Sequence, residues 1–294
     1  MTQTQFVMLE DRGVLAVAGP DRASFLQGLV SNDTARVSGE RAVYAALLTP
    51  QGKYLHDFFM VEYGEAIWLD AEAARLGDLK RRLSVYRLRA RVTLDERPDL
   101  AVAVAFGGAV LGLPDDPGAA CALDGGVAFV DPRLPALGAR AILPREQVRQ
   151  ALTATGATDA DFAEYDRLRL SLGIPDGSRD MVLDKSILLE SGFDELNGID
   201  WDKGCYIGQE LTARTKYRGL SKKRLFPVRI DGPAPEPGVI VTLDGHEAGE
   251  MRSSRDGIGL ALLRLEAVER GETLAVGETG IVPITPDWMR LPED

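Results

Sequence analysis

The chain has 294 residues, 45% of them hydrophobic and 27% charged, which is the composition of a soluble globular protein with room for two or three domains. It carries 34 Lys and Arg residues against 45 Asp and Glu residues, and the resulting formal charge of −11 argues against a protein whose whole surface binds nucleic acid. Any anionic partner therefore needs a local basic patch.

The N-terminus and the cysteines bear on where the protein works. Residues 1–6 lack the basic and apolar regions of a secretory signal peptide. The longest apolar run, Leu100 to Leu113, is too short to span a bilayer and is interrupted by two glycines, so we expect no membrane partner. Cys121 and Cys205 lie far apart and form no CxxC pair, so no disulfide framework is expected. Together these features predict a cytoplasmic location.

Residues that could ligate a metal are scarce. The chain has two histidines, His56 and His246, and two cysteines, with no short ligand spacing among them, so a structural zinc site is not expected. An iron–sulfur cluster requires about four thiolates. The sequence therefore predicts no permanently bound metal.

In the first half of the chain, short apolar segments alternate with two amphipathic helices. One helix is predicted after Asp21, which can cap it, and a longer one over 71–88, where apolar residues recur at steps of three and four. The predicted strands are 14–18, 43–48, 57–61, 66–70, 92–94 and 101–106. The order strand, helix, strand, strand, helix, strand is typical of a ferredoxin-like unit in an α+β protein.

The second half begins with a predicted loop, Gly112 to Gly126, that is rich in Gly, Pro and Asp. A strand at 127–130 and helices at about 145–155 and 160–172 follow. Beyond Lys222 the pattern changes to short strands separated by Gly and Pro, which is typical of a small β-barrel domain.

One stretch stands out for its chemistry, namely Lys203-Gly204-Cys205-Tyr206-Ile207-Gly208-Gln209-Glu210. Gly204 and Gly208 permit positive φ or the close approach of a ligand. A thiol beside Lys203, and near the N–H groups that open the following helix, should have a pKa below that of a free cysteine. Cys205 is therefore a candidate functional thiol with Lys203 as its activating cation. The alternative is a buried cysteine at a structural turn.

These eight residues, followed by Arg-Thr-Lys-Tyr-Arg-Gly, resemble the signature of the YgfZ family of folate-binding proteins. That family shares a superfamily with the aminomethyltransferase (T-protein) of the glycine cleavage system, and it includes mitochondrial factors that help to mature iron–sulfur proteins. Other blocks similar to the family are 25–33, 48–53, 86–89, 170–175, 253–254 and 259–262.

The resemblance implies a T-protein-like architecture, with ferredoxin-like α/β domains and a C-terminal β-barrel arranged around a central folate-binding opening. The domain ranges that we expect are 1–45 with 155–221, 46–154, and 222–294. The implied ligand is tetrahydrofolate or a derivative, and the implied partners are iron–sulfur assembly proteins or their client enzymes.

Five residues are candidates for binding the folate: Asp57, Glu190, Tyr206, Gln209 and Arg214. The donor and acceptor edge of a pterin suits a carboxylate, and the anionic glutamate tail suits Arg or Lys. Glu190 lies near the position at which T-proteins place a pterin-binding glutamate, and a carboxylate flanked by leucines is costly without a partner. A solvated residue at a helix end is the alternative for Glu190. Tyr206 could stack on the ligand or only pack.

The chain departs from the T-protein pattern at His56-Asp57. T-proteins carry two adjacent aspartates there, one of which serves the aminomethyl chemistry. Aminomethyl transfer is therefore not the favoured function, and His56 is expected to be a surface histidine on a strand.

Residues 211–230 contain seven cations and no acidic residue: Arg214, Lys216, Arg218, Lys222, Lys223, Arg224 and Arg229. Such a run is usually a solvated face, but it could also attract a polyglutamyl tail or an RNA backbone. The favoured function is a folate-binding accessory protein for the assembly or repair of iron–sulfur enzymes. A folate-dependent aminomethyl or one-carbon transferase is the first alternative, and a tRNA-binding or tRNA-modification factor is the second.

Overall fold

The structure is a computed structural model that describes residues 3–108, 111–219 and 221–291. Two residues of the apolar run and Leu220 of the basic run lie outside these ranges. The chain forms two compact units, each assembled from separate segments. The first unit comprises Met1–Leu48, Leu55–Phe162 and Leu196–Ile207, and the second comprises Thr49–Tyr54, Ala163–Glu195 and Gly208–Asp294. The three domain ranges drawn from the sequence stay a prediction.

A five-stranded sheet and a six-stranded sheet form the framework of the first unit. The strands of the five-stranded sheet, in spatial order, are β3 (Val43–Leu48), β4 (Tyr54–Tyr63), β5 (Ala66–Glu72), β2 (Arg12–Ala18) and β6 (Thr93–Glu96). Those of the six-stranded sheet are β11 (Thr158–Asp159), β1 (Gln5–Met8), β7 (Leu100–Phe106), β10 (Ala139–Pro144), β9 (Gly126–Val130) and β8 (Ala120–Leu123). In the six-stranded sheet the pair β1 and β11 is parallel, and the other neighbours are antiparallel.

Helices cover these sheets with their apolar faces. Helix α1 (Arg22–Gln27) and helix α2 (Leu76–Tyr86) share a core with the five-stranded sheet, and α3 (Val148–Ala154) shares one with the six-stranded sheet. Successive side chains of a strand point to opposite faces, so alternate residues of β2 and β4 meet α2. The residues of β2 and β4 in this core are Leu15, Val17, Phe58 and Met60.

The opposite face of the five-stranded sheet takes part in a cluster of buried ion pairs. Asp70 accepts hydrogen bonds from Arg12 Nε (2.7 Å) and from Arg140 Nη1 (2.8 Å), and all three side chains are at most 5% exposed. Asp131 accepts from Arg133 Nη2 at 2.8 Å, and it lies 3.3 Å from Arg140 Nε. Nearby guanidinium groups hold the pKa of Asp131 below its usual range despite its burial. Each carboxylate therefore pairs with two arginines inside the unit, and Arg140 is shared between them.

The second unit contains a closed barrel and three α-helices placed before it in the chain. The helices are α4 (Phe162–Ser171), α5 (Gly177–Asp180) and α6 (Gln209–Tyr217). The barrel strands, in spatial order, are β12 (Lys223–Asp231), β15 (Ile258–Arg264), β14 (His246–Arg255), β13 (Ile240–Leu243), β16 (Leu274–Val276) and β17 (Thr279–Pro283), and α7 (Leu265–Glu269) follows β15. Apolar side chains fill the barrel, among them Phe226, Val241, Met251 and Ile281.

Arg169 links helices α4 and α5 to the barrel. Its guanidinium donates to Asp166 at 2.7 Å, to Asp180 at 2.7 Å and to the hydroxyl of Ser253 on β14 at 2.9 Å. Arg169 is 3% exposed and both carboxylates are at most 2% exposed. Since buried charges are tolerated when they are paired and hydrogen-bonded, this cluster fixes the helices against the barrel wall.

The α+β class and the C-terminal barrel are confirmed, and most predicted elements are present. The predicted loop from Gly112 to Gly126 is wrong in part because it contains β8, and β1, β10 and β11 are not among the predicted strands. β8 is half-exposed and β11 exposed, so neither shows the alternation of apolar and polar residues that marks a strand. Within the described residues no helix is long and apolar enough to cross a membrane.

Candidate functional site

Cys205 lies on an exposed part of a loop that leads into α6. We call residues 197–207 the thiol loop. Gly208, which follows it, caps the N-terminus of α6 with φ of 84°, a left-handed conformation that favours glycine. The predicted positive φ is thus present at Gly208 and absent at Gly204, where an added Cβ would meet nothing within 4 Å. The close approach of a ligand to Gly204 stays a prediction.

The thiol loop is joined to residues 27–34, which we call the anchor segment, by several hydrogen bonds within the first unit. Ser31 Oγ donates to Gly198 O (2.6 Å), Asn32 Nδ2 donates to Asn197 O (2.7 Å), Asp200 N donates to Ser31 O (3.1 Å) and Ile207 N donates to Gly28 O (3.3 Å). These contacts include both ends of the loop. The exposed thiol therefore stands on a loop that is held in place.

Lys203 occupies the middle of this junction. Its Nζ donates to the carbonyl oxygens of Gln27 (2.8 Å), Val30 (2.7 Å) and Asn32 (2.7 Å), and the residue is 8% exposed. An ammonium group has three N–H donors, so three carbonyl acceptors use all of them. Burial lowers the pKa of Lys203 to about 8. The ammonium also lies 5.2 Å from the centroid of the Tyr206 ring, which is itself buried.

Glu190 lies in the second unit, on a single 3-10 turn, Leu188–Ser191. Its side chain is half-buried and follows two buried leucines, so it is less exposed than the alternative of a solvated helix end requires. In the described part of the chain its carboxylate has no hydrogen-bond partner, although Lys53, Lys223 and Arg252 act on it electrostatically. Burial raises the pKa of Glu190, and the three cations oppose that rise.

Arg252 adds an unsatisfied donor to the surroundings of Glu190. Its Nη1 pairs with Glu250, but its Nε is buried with no hydrogen-bond partner among the residues described. Buried polar atoms normally have a partner, because leaving one unpaired costs about 1–3 kcal/mol. An unpaired acceptor at Glu190 and an unpaired donor at Arg252 indicate a place suited to a polar ligand.

The remaining candidates for folate binding are distributed over both units. Asp57 is 4% exposed and accepts a hydrogen bond from the Tyr44 hydroxyl at 2.9 Å. Tyr206 packs in the first unit, as described above. Gln209 begins α6, and Arg214 on the same helix pairs with Glu210 at 2.5 Å while remaining exposed. Their joint role in binding folate stays a prediction.

His56 is not a surface residue, which corrects the expectation from sequence. It is 2% exposed, and its Nε2 lies 2.9 Å from Asp78 Oδ2 on α2. The reason is the strand alternation, since His56 shares with Phe58 the face of β4 that α2 covers. Burial, reinforced by the charge of Arg75, lowers the pKa of His56 to about 4, so the imidazole is neutral at physiological pH.

The basic run from 211 to 230 is partly neutralised by carboxylates that the local sequence does not reveal. Four of its cations pair within the second unit: Arg214 with Glu210 (2.5 Å), Arg224 with Glu195 (2.8 Å), Lys216 with Asp194 (3.1 Å) and Lys223 with Glu247 (3.8 Å). Arg224 and Glu195 are also buried together. The run thus offers less free positive charge to an RNA backbone than its composition indicates.

The sequence analysis did not identify one pocket, of about 160 Å³, in the first unit. Its lining includes Asn32, Arg36, Arg41, Tyr44, Asp116 and Asn197. Arg41 pairs with Asp116 at 2.9 Å, and Gly118 brings the backbone there close to Ala42, because an added Cβ would lie 2.4 Å from the Ala42 carbonyl oxygen. Residues from four separate segments form this pocket, so no local pattern could have revealed it.

Comparisons with known proteins show which family the chain belongs to. A family model described as the CAF17 C-terminal beta-barrel domain matches residues 222–291. The chain is 35% identical over 308 residues to the iron-sulfur cluster assembly factor IBA57, mitochondrial, of Mus musculus, and 34% identical over 308 residues to that of Homo sapiens. Each alignment spans 95% of this chain and 84% of the relative. A Neurospora crassa homolog is 32% identical over 80% of this chain and 57% of its own length.

The fold also resembles a solved structure, the glycine cleavage system aminomethyltransferase T from Bartonella henselae. The TM-score is 0.78 at 15% sequence identity, and the match covers 96% of this chain and 85% of the other. This likeness confirms the predicted T-protein-like fold.

The relatives contradict the predicted cytoplasmic location, because the mouse, human and Neurospora proteins are all named as mitochondrial. The predicted location rests on the lack of a secretory signal peptide and on the lack of a disulfide framework. Neither observation separates one reducing compartment from another, so the inference was too narrow.

Proposed function

The chain belongs to the CAF17/IBA57 family, which is YgfZ-like, and we propose that it is an iron–sulfur cluster assembly factor. In this proposal it works through the Cys205 thiol and binds a tetrahydrofolate. The relatives named above are iron–sulfur cluster assembly factors, and this chain aligns with the animal proteins over 95% of its length. The partners would then be iron–sulfur assembly proteins or client enzymes.

The exposed thiol on a fixed loop is the observation that carries the proposal. A cluster needs about four thiolates, so one cysteine can contribute a transient ligand in a complex with a partner but cannot store a cluster. Such a contribution requires a thiol that is accessible and held still. Cys205 is exposed, and hydrogen bonds that include both ends of the thiol loop fix its place.

The surroundings of Glu190 support the folate half of the proposal. The carboxylate of Glu190 can accept hydrogen bonds from the N–H edge of a pterin, as the family resemblance implies for this position. Lys53, Lys223 and the unpaired Nε of Arg252 supply cationic donors of the kind that an anionic glutamate tail requires. The polar groups present in the second unit therefore fit a folate.

Titration calorimetry with tetrahydrofolate tests this half directly. Binding should be measurable with the wild-type protein and weaker by about tenfold or more in Glu190→Gln, because a charge-assisted hydrogen bond contributes about 1.5–3 kcal/mol. Glu278→Gln, an exposed glutamate of the same unit, is the matched control. No heat at millimolar ligand would reject the folate assignment.

The cluster half is tested in a strain that lacks the protein. Wild type should restore the activity of iron–sulfur enzymes, and Cys205→Ser should not. Rapid formation of methylene-tetrahydrofolate from an aminomethyl donor would instead favour a transferase and contradict the accessory role.

A further inference from the structure

We propose that Lys203 is a positioning residue, whose ammonium fixes the thiol loop to the anchor segment so that Cys205 is presented at one place on the surface. This inference rests on the proposed role of Cys205 as the working thiol. It assigns to Lys203 a mechanical task in place of the electrostatic activation that its position in the sequence suggests.

The geometry of the three carbonyls supports this assignment. Gln27 is the last residue of α1, and Val30 and Asn32 follow within the next turn of chain. The carbonyl of Gln27, at the end of α1, lacks a partner inside the helix, and the carbonyls of Val30 and Asn32 belong to the irregular chain after it. The ammonium of Lys203 donates to all three at 2.7–2.8 Å in a site where the residue is 8% exposed.

The same geometry leaves no N–H of Lys203 for the thiol. All three donors of an ammonium are occupied by the three carbonyls. A hydrogen bond from Lys203 to a thiolate at Cys205 would require breaking one of these contacts. The lysine is therefore arranged to hold the loop.

Arginine is a poor substitute at this position. A guanidinium spreads its N–H groups in a plane at the end of a longer group, whereas the three carbonyls converge on one nitrogen atom. The variant Lys203→Arg thus keeps the positive charge but loses the geometry, and Lys203→Met loses both. Lys185→Met, an exposed lysine in the second unit, is the matched control.

Hydrogen exchange of the amides in residues 197–207 is the deciding measurement. Exchange should speed up by about tenfold or more in both Lys203→Met and Lys203→Arg, because exchange reports local opening, and it should not change in Lys185→Met. The rate of alkylation of Cys205 against pH is measured in parallel, with Cys121 as the reference thiol in the same chain. If Lys203→Met leaves exchange unchanged and only moves the alkylation profile to higher pH, with Lys203→Arg restoring it, Lys203 acts through its charge and the proposal is wrong.

A measurement on the wild-type protein covers the case in which the variants do not fold. Reductive methylation should label Lys203 at least about tenfold more slowly than Lys185, because its ammonium is buried and hydrogen-bonded. Equal labelling rates would overturn the proposal. If Cys205→Ser retains full function in cells, the proposed function of the thiol fails, whereas the exchange and labelling results judge the role of Lys203 separately.

Discussion

The imidazole Nε2 of His56 lies 2.9 Å from the Asp78 carboxylate Oδ2, in the interior between β4 and α2. His56 and Asp57 are the place at which the sequence departs from the T-protein pattern. Here His56 contacts a helix, and Asp57 accepts a hydrogen bond from the buried Tyr44 hydroxyl. Both side chains are committed to the core of the first unit.

The buried imidazole makes stability depend on pH. The pKa of His56 in the folded protein is about 4, below the ordinary 6.5, so the unfolded chain takes up a proton at a higher pH than the folded chain does. The free energy of unfolding should therefore fall as pH drops from 6.5 towards 4, by about 2–3 kcal/mol from this residue. Urea unfolding at several pH values should show a shallower loss for His56→Gln. Parallel curves for the two proteins would contradict the assignment.

The buried ion cluster predicts a severe loss of stability on removing one carboxylate. Asp70→Asn would remove a buried carboxylate that pairs with Arg12 and is one of the two that pair with Arg140, which should cost about 3–5 kcal/mol of unfolding free energy. Asp99→Asn is the control, because the Asp99 pair with Arg97 is exposed and worth less than about 1 kcal/mol. Denaturant midpoints measure both changes, and similar shifts in the two variants would refute the prediction.

The two free cysteines should separate function from stability. Cys205 is exposed, so Cys205→Ser should change the unfolding free energy by no more than about 0.5 kcal/mol while abolishing the support of iron–sulfur enzymes. Cys121 packs against the core of the six-stranded sheet, so Cys121→Ser should cost about 1 kcal/mol and keep that support. Melting temperature and enzyme activity in cells report the two effects, and loss of function in the Cys121 variant alone would reverse the assignment.

Replacing Glu190 with glutamine should stabilise the folded protein while it weakens folate binding. Burial raises its pKa above the ordinary 4.5, so the ionised carboxylate is disfavoured in the folded protein at neutral pH. Glu190→Gln should therefore raise the urea midpoint at pH 7.5, and the gain should disappear as pH falls and the wild-type carboxyl takes up its proton. Glu278→Gln should leave the midpoint unchanged at both pH values. A destabilised Glu190→Gln protein would mean that the carboxylate has a structural role.

The sequence led to Cys205 because eight consecutive residues carry the resemblance, and it led to the barrel because Gly and Pro divide the last seventy residues into short strands. It also predicted α2 from the spacing of Leu76, Leu79 and Leu83, all of which are buried. These inferences share a cause, since each signal lies within a short window of the chain. The barrel and α2 are confirmed, and the role of Cys205 stays a prediction.

The remaining features depend on contacts between distant residues. Lys203 is next but one to Cys205, and this proximity suggested activation, but its hydrogen-bond acceptors lie 171 to 176 positions earlier. Likewise, the basic run looks unpaired because the carboxylates of Glu195 and Glu247 come from outside it. Pairings of this kind cannot be derived from periodicity, because only the folded chain brings the partners together.

The division of the first unit into separate segments also sets an order of events during synthesis. Its last segment, Leu196–Ile207, is made after the anchor segment has already left the ribosome, with 171 to 176 residues between the lysine and its carbonyl partners. At about 5–20 residues per second, those carbonyls wait roughly 10–35 s for the ammonium. A nascent chain that stops before residue 196 lacks the thiol together with the lysine that holds its loop. A polypeptide that stops before the last segment of the first unit thus cannot display this thiol.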